Sequence, residues 1–230
     1  MESLKSASCR PDSPDMRLAY LQDVVEELSK KWPDNRAVHI VCHGHSVPAG
    51  YFATPWVQSL LAYPHQLHRM LAQRYPFAVI NVIVTAIGGE NSAQGAARFA
   101  AGVLPHRPDL LLLDYGLNDR GIGLKEAESS WRSMIESALA AGAKVMLLTP
   151  SWDQHYFAQD EQWRQLEAHA EQIRALAQEY GVALADSFAA FAHYVQSGGH
   201  LNDLLSHVNH PNELGHRLIA TEIARWFCAR

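Results

Sequence analysis

Four short polar segments of this chain could do chemistry together: Gly44-His45-Ser46, Gly88-Gly89, Asn118-Asp119 and His210-Pro211-Asn212. A serine hydroxyl is a poor nucleophile until a base within hydrogen-bond reach takes its proton. Attack on an acyl carbonyl also needs N–H donors aimed at the oxyanion that forms. Ser46 could supply the hydroxyl and His210 the base, with Pro211 restricting the backbone at His210. The backbone N–H groups of Ser46 and Gly89 and the side-chain amide of Asn118 could supply the donors. A glycine suits the second of these positions, because a side chain there would obstruct the substrate. Each residue taken alone has a plainer reading. Serine and asparagine in turns usually satisfy backbone groups, and most of the thirteen histidines are expected to be solvated.

The elements around these segments decide whether they can meet. Met16 to Lys31 has apolar residues at a helical period, and Trp32-Pro33-Asp34 closes that helix. Ala37 to Cys42 reads as a short buried strand feeding the serine turn. Trp56 to Tyr75 is expected to be helical, with Pro64 kinking or splitting it. Ala78 to Val84 is a β-branched run without charge, as in a strand covered on both faces. It leads into the glycine turn, and a helix is expected from Ala93 to Leu104. Asp109 to Asp114 is a third strand, running into Gly116-Leu117-Asn118-Asp119. Helix follows over Lys125 to Ala141, strand over Ala143 to Thr149, a long helix over Glu161 to Tyr180, and a short strand over Val182 to Ala185. A last helix is expected from about Glu213 to Cys228. Strands alternating with helices imply βαβ units, a parallel sheet and helices on both faces. Ligands of such sheets sit outside the carboxyl ends of the strands. That edge is where Ser46, Gly88-Gly89 and Asn118-Asp119 would converge.

Composition narrows the function. A chain of 230 residues with 48% hydrophobic and 19% charged residues fits one soluble α/β domain. The polar stretch Met1 to Asp15 reads as an arm outside it, leaving 16–230 as the domain. A net charge of −5 argues against nucleic acid or an anionic membrane as the main partner. No apolar run reaches the length of a membrane span. Cys9, Cys42 and Cys228 offer neither a disulfide framework nor a metal knuckle, and Met1 to Asp15 lacks an apolar signal core, so a cytoplasmic protein is expected.

The four segments resemble the blocks of the SGNH (GDSL-like) hydrolases. Gly44-His45-Ser46 stands for the first block's Gly-Asp-Ser, and Ala49-Gly50-Tyr51 matches what usually follows. Gly89 matches the second block's glycine. Gly116-Leu117-Asn118-Asp119 and His210-Pro211-Asn212 match the third and last blocks, with Gly215-His216 in the expected continuation. The blocks occur in the family's order across residues 44 to 216. The resemblance implies a flavodoxin-like three-layer α/β/α sandwich with a central parallel sheet of about five strands. It also implies a serine ester hydrolase: Ser46 as nucleophile, His210 as general base and then acid, and an oxyanion hole of Ser46, Gly89 and Asn118. Carboxylic esters would be cleaved through an acyl-enzyme, with no cofactor and no metal. A small-molecule ester, such as an acetyl ester of a sugar or other polar alcohol, is the expected substrate. Tyr51, Trp56, Glu90, Trp152 and Asp153 could offer stacking and hydrogen bonds to it.

Two positions depart from the family pattern. His45 replaces the usual Asp beside the nucleophile, and the expected effect is confined to local hydrogen bonds. The triad acid usually lies three residues before the histidine, which here is His207. His210 could therefore be oriented by a backbone carbonyl in a Ser-His dyad, by Asp203, or by His207. The carbonyl is preferred, because a triad acid mainly fixes tautomer and orientation, and a carbonyl does part of that. Two other functions remain open from the residues: a metal site in the cluster His200, Asp203, His207, His210 and His216, whose spacing fits no zinc motif, and a non-catalytic binding relative.

Overall fold

The computed structural model describes residues 19–227. The arm at Met1 to Asp15, Cys9 and Cys228 lie outside them. Five strands form one parallel sheet in the order β2-β1-β3-β4-β5. They are β1 (Ala37–Gly44), β2 (Val79–Val84), β3 (Leu110–Asp114), β4 (Lys144–Leu148) and β5 (Ala183–Ala185). β3 is buried along its whole length, as its uninterrupted apolar run requires.

Side chains alternate between two cores across this sheet. Ile40, Cys42, Leu110, Leu112 and Met146 face one side, with α1 (Gln22–Ser29), α3 (Tyr63–Arg74), α9 (Ser187–Gln196) and α10 (Glu213–Ala224) supplying the covering residues. Val41, Leu111, Leu113, Val145 and Leu147 face the other, under α6 (Gly123–Ala140) and the second half of α8 (Glu161–Tyr180). The result is the expected three-layer α/β/α sandwich.

Several element expectations change. β2 is an edge strand with Val79 and Asn81 exposed, because among the described residues only β1 pairs with it; its lack of charge reflects half-burial. The helix expected from Trp56 begins only at Tyr63. Pro64 sits in its first turn, where a missing N–H costs nothing. Residues 51–58 instead fold back as a hairpin on the serine turn, with Tyr51 bridged to Val57 and Gln58 N donating to Gly50 O at 2.8 Å. The segment Ala93 to Leu104 breaks into α4 (Ser92–Ala97) and α5 (Phe99–Gly102). α9, capped by Asp186 accepting from Ala189 N, was absent from the sequence reading.

The strand order reverses direction between β1 and β3, so the chain leaves their carboxyl ends toward opposite edges of the sheet. This opens a crevice there. The turn after β1 carries Ser46, and the turn after β3 carries Asn118.

Candidate active site

Gly44 lets the two turns approach. A Cβ on it would lie 2.4 Å from the Asp114 carbonyl oxygen. Without one, His45 N donates to that oxygen at 3.3 Å. Ser46 then opens the single helical turn α2 (Ser46–Ala49), which ends at Gly50 with φ 89°. This geometry lifts the serine off the strand, yet leaves it only 7% exposed.

His210 meets Ser46 from the far end of the chain. Its Nε2 lies 2.9 Å from Ser46 Oγ, and its Nδ1 lies 2.7 Å from the carbonyl oxygen of Phe52. A carbonyl only accepts, so Nδ1 carries the hydrogen and Nε2 turns a lone pair toward the serine hydroxyl. Burial pulls the imidazole below its ordinary value; the Phe52 carbonyl partly offsets this, and His45 and His207 add to the lowering. The histidine is held from behind as well, its own carbonyl accepting from Ser206 N at 2.9 Å and from Ser206 Oγ at 3.1 Å. Asn212 caps α10 through Oδ1 and ties Nδ2 to the Asp203 backbone carbonyl at 2.9 Å.

Neither side chain offered as an alternative orienter reaches the ring. The Asp203 carboxylate accepts from His200 N at 3.0 Å and faces the Tyr194 hydroxyl at 3.3 Å, closing its own 3-10 turn. His207 is exposed. The histidine-rich segment is likewise dispersed: His200 caps the turn at Asn202, and His216 is buried, accepting from Tyr63 N at 3.2 Å.

The glycine turn extends the pairing of β2 with β1, since Thr85 N donates to Cys42 O and Ile87 N to Gly44 O, both at 3.0 Å. This brings Gly88 and Gly89 alongside the serine. Gly88 backs onto the Tyr51 ring, which in turn lies 6.2 Å from the His210 ring. Gly89 has φ 83° and open space where a Cβ would stand, so only glycine takes this conformation without strain. Asn118 Nδ2 donates to Glu90 O at 2.8 Å, joining the third turn to the second. The amide has a second hydrogen beyond that bond. Its neighbour Asp119 is buried and structural, accepting from Ser92 N and Trp131 Nε1 at 2.7 Å each.

These turns all fall within residues 42–218, which match the sequence pattern of the GDSL-like lipase/acylhydrolase family. The chain belongs to that family. Its members hydrolyse esters, and this member has the SGNH hydrolase fold. Esterase TesA of Pseudomonas aeruginosa is 35% identical over 82 residues, which span 35% of this chain and 39% of TesA. The aligned stretch is thus well under two thirds of that relative. Among solved structures, Axe2, an acetylxylan esterase from Geobacillus stearothermophilus, has a TM-score of 0.72 at 22% identity, covering 84% of this chain and 95% of that one. A two-domain esterase (CEX) active on acetylated mannans has a TM-score of 0.72 at 19% identity, covering 91% of this chain and 52% of that one. At these identities the likeness concerns the fold.

Three expected substrate contacts of this GDSL-like protein are engaged elsewhere. The Glu90 carboxylate is gripped by Arg98, whose Nε lies 2.8 Å from Oε1 and whose Nη2 lies 2.5 Å from Oε2. Trp152 is 6% exposed, stacked on Tyr156 at 4.5 Å and packed against Trp163 and Phe188, so it belongs to the core. Asp153 is also buried, paired with Arg120 at 2.8 Å. Half-buried Tyr51 stays beside His210, while Trp56 is 72% exposed on the hairpin. No residue type announces the Phe52 carbonyl, and the sequence marks Asp114 only as the end of a strand.

Proposed function

We propose that Ser46 and His210 form the catalytic dyad of an esterase that cleaves small acyl groups from polar alcohols through an acyl-enzyme. The observation that carries this reading is the line Phe52 O, His210 Nδ1, His210 Nε2, Ser46 Oγ, with spacings of 2.7 and 2.9 Å at its ends. Ser46 Oγ attacks the ester carbonyl while its proton passes to His210 Nε2. The imidazolium is held by the Phe52 carbonyl. The tetrahedral oxyanion is met by the N–H groups of Ser46 and Gly89 and the free hydrogen of the Asn118 amide. Collapse breaks the ester C–O bond, and the alcohol leaves with the proton from Nε2. Water then attacks the acyl-serine, giving its proton to Nε2. The acid departs as that proton returns to Ser46 Oγ.

Carbohydrate acetyl esters are the proposed substrate class, supported by the acetylxylan and acetylated-mannan activities of the structurally similar esterases. Exposed Trp56 and half-buried Tyr51 offer aromatic faces for a sugar. No helix of the described residues is long and apolar enough to cross a membrane. The buried, unpaired Cys42 supports a reducing, cytoplasmic setting.

A short-chain aryl acetate and a panel of acetylated xylo- and manno-oligosaccharides test the proposal. The wild-type protein should release acetate from both, and Ser46→Ala from neither. Aryl-ester turnover that survives Ser46→Ala refutes the dyad; inactivity on every acetylated sugar refutes the substrate class.

A further inference from the structure

Ser46 has a second imidazole beside it. His45 is 1% exposed, and its Nδ1 lies 3.2 Å from Val47 N and 3.4 Å from Ser46 Oγ. Its Nε2 lies 3.4 Å from Oδ1 of Asp114, itself only 4% exposed. The Val47 amide can only donate, so Nδ1 is bare and the ring hydrogen sits on Nε2, facing the carboxylate. The serine hydroxyl thus lies between two ring nitrogens that both present lone pairs, His210 at 2.9 Å and His45 at 3.4 Å. The carboxylate absent from behind His210 stands behind His45 instead.

We propose that His45 and Asp114 act as one positioning pair for the nucleophile. The Asp114 carboxylate faces Nε2 at 3.4 Å and so disfavours the tautomer with hydrogen on Nδ1, which would oppose a ring lone pair to the carboxylate oxygen. In that tautomer Nδ1–H would donate to Ser46 Oγ, occupying the lone pair that attacks the carbonyl, and would break the Val47 cap that starts α2. With Nδ1 bare, the hydroxyl hydrogen goes to the nearer His210 and the Oγ lone pairs stay free. Asp114 also meets a second buried group. The buried Tyr63 phenol faces it, and burial first and this carboxylate second push that phenol well above its ordinary value.

The inference rests on Ser46 being the nucleophile, and a fluorophosphonate probe, which reacts with an activated serine and needs no sugar contacts, separates the two. Asp114→Asn can turn an amide N–H toward Nε2 and so permits the wrong tautomer. Its labelling rate and kcat should fall about 10- to 100-fold with KM little changed. In a His45→Asn background, where the amide oxygen can still cap Val47 N but no ring remains, adding Asp114→Asn should cost nothing further. A merely structural carboxylate would cost the same in both backgrounds. Nitrogen-15 NMR of the wild-type protein, with His45 assigned by its loss in His45→Asn, should show Nε2 protonated and Nδ1 bare. Labelling of Asp114→Asn within twofold of wild type, an undiminished loss in the His45→Asn background, or a protonated Nδ1 overturns the pair. A wild-type protein that resists the probe overturns the nucleophile assignment itself.

Discussion

His210 donates from Nδ1 to the carbonyl oxygen of Phe52 at 2.7 Å, and the Phe52 ring lies 5.2 Å from the buried imidazole of His216. The proposed base is therefore oriented by a neutral group on the hairpin after the serine turn, and that hairpin is anchored on α10. A carbonyl fixes the tautomer as a carboxylate would, but contributes no full charge to the imidazolium. His210→Ala should lower kcat on an aryl ester by about a thousandfold or more. Asp203→Ala and His207→Ala should stay within about twofold of wild type in kcat, since neither side chain touches the ring and a lost general base costs far more. A large kcat loss in either would mean that it reaches His210 during turnover.

The pH dependence follows from the same burial. As the proposed base, His210 acts when neutral, and its pKa is lowered from 6.5, chiefly by desolvation. The acid limb of kcat/KM should therefore have its midpoint below 6.5, and activity should be flat as pH rises through neutrality. A midpoint above 6.5 would indicate a charge partner for the imidazolium.

Glu90 holds the loop of the proposed oxyanion hole through two groups: its carbonyl takes the Asn118 amide, and its carboxylate takes Arg98. Arg98→Gln loosens the carboxylate without removing a proposed donor. It should reduce kcat several-fold, less than the 10²–10³ of deleting an oxyanion donor outright. KM should change little. Steady-state kinetics on one substrate separate the two parameters.

Three buried histidines make the fold acid-sensitive. Burial pushes His43 and His169 down to about 4 and His216 to about 3. The unfolded chain protonates them near 6.5, so stability is full above that value and falls as pH drops below it. Each contributes a slope of about 1.4 kcal/mol per pH unit, or up to ~4 for the three together between about pH 6 and 4. Urea midpoints measured from pH 7.5 to 5 check this; a flat profile would contradict it.

Asp119 is a scaffold carboxylate. Asp119→Ala leaves the Ser92 amide and the Trp131 indole N–H buried without acceptors and should cost about 2–4 kcal/mol of unfolding free energy. Denaturant unfolding reads the loss directly.

Much of this was open to reading in the chain itself. Unbroken apolar runs such as Leu110 to Leu113 have one cheap solution, a strand covered on both faces. Turn chemistry marks where the strands stop, so Ser46, Gly89 and Asn118 could be assigned to one edge before any distance was known. β2 escaped correct reading because an edge strand and a central one share the same β-branched composition. The start of α3 escaped because Pro64 is equally a helix breaker and a first-turn residue.

The local sequence determined which reactive groups exist, in what order, and at which strand ends, since periodicity and turn preference act over a few residues. Only the tertiary structure decided what stands behind each imidazole. Every residue carries a carbonyl, so nothing in the residue types singles out Phe52 as the partner of His210. Asp114 is separated from His45 by sixty-nine positions and meets it only because β1 and β3 pair in parallel register, Gly44 opposite Asp114. Which charge reaches which ring depends on that pairing, and it is a property of the packed sheet.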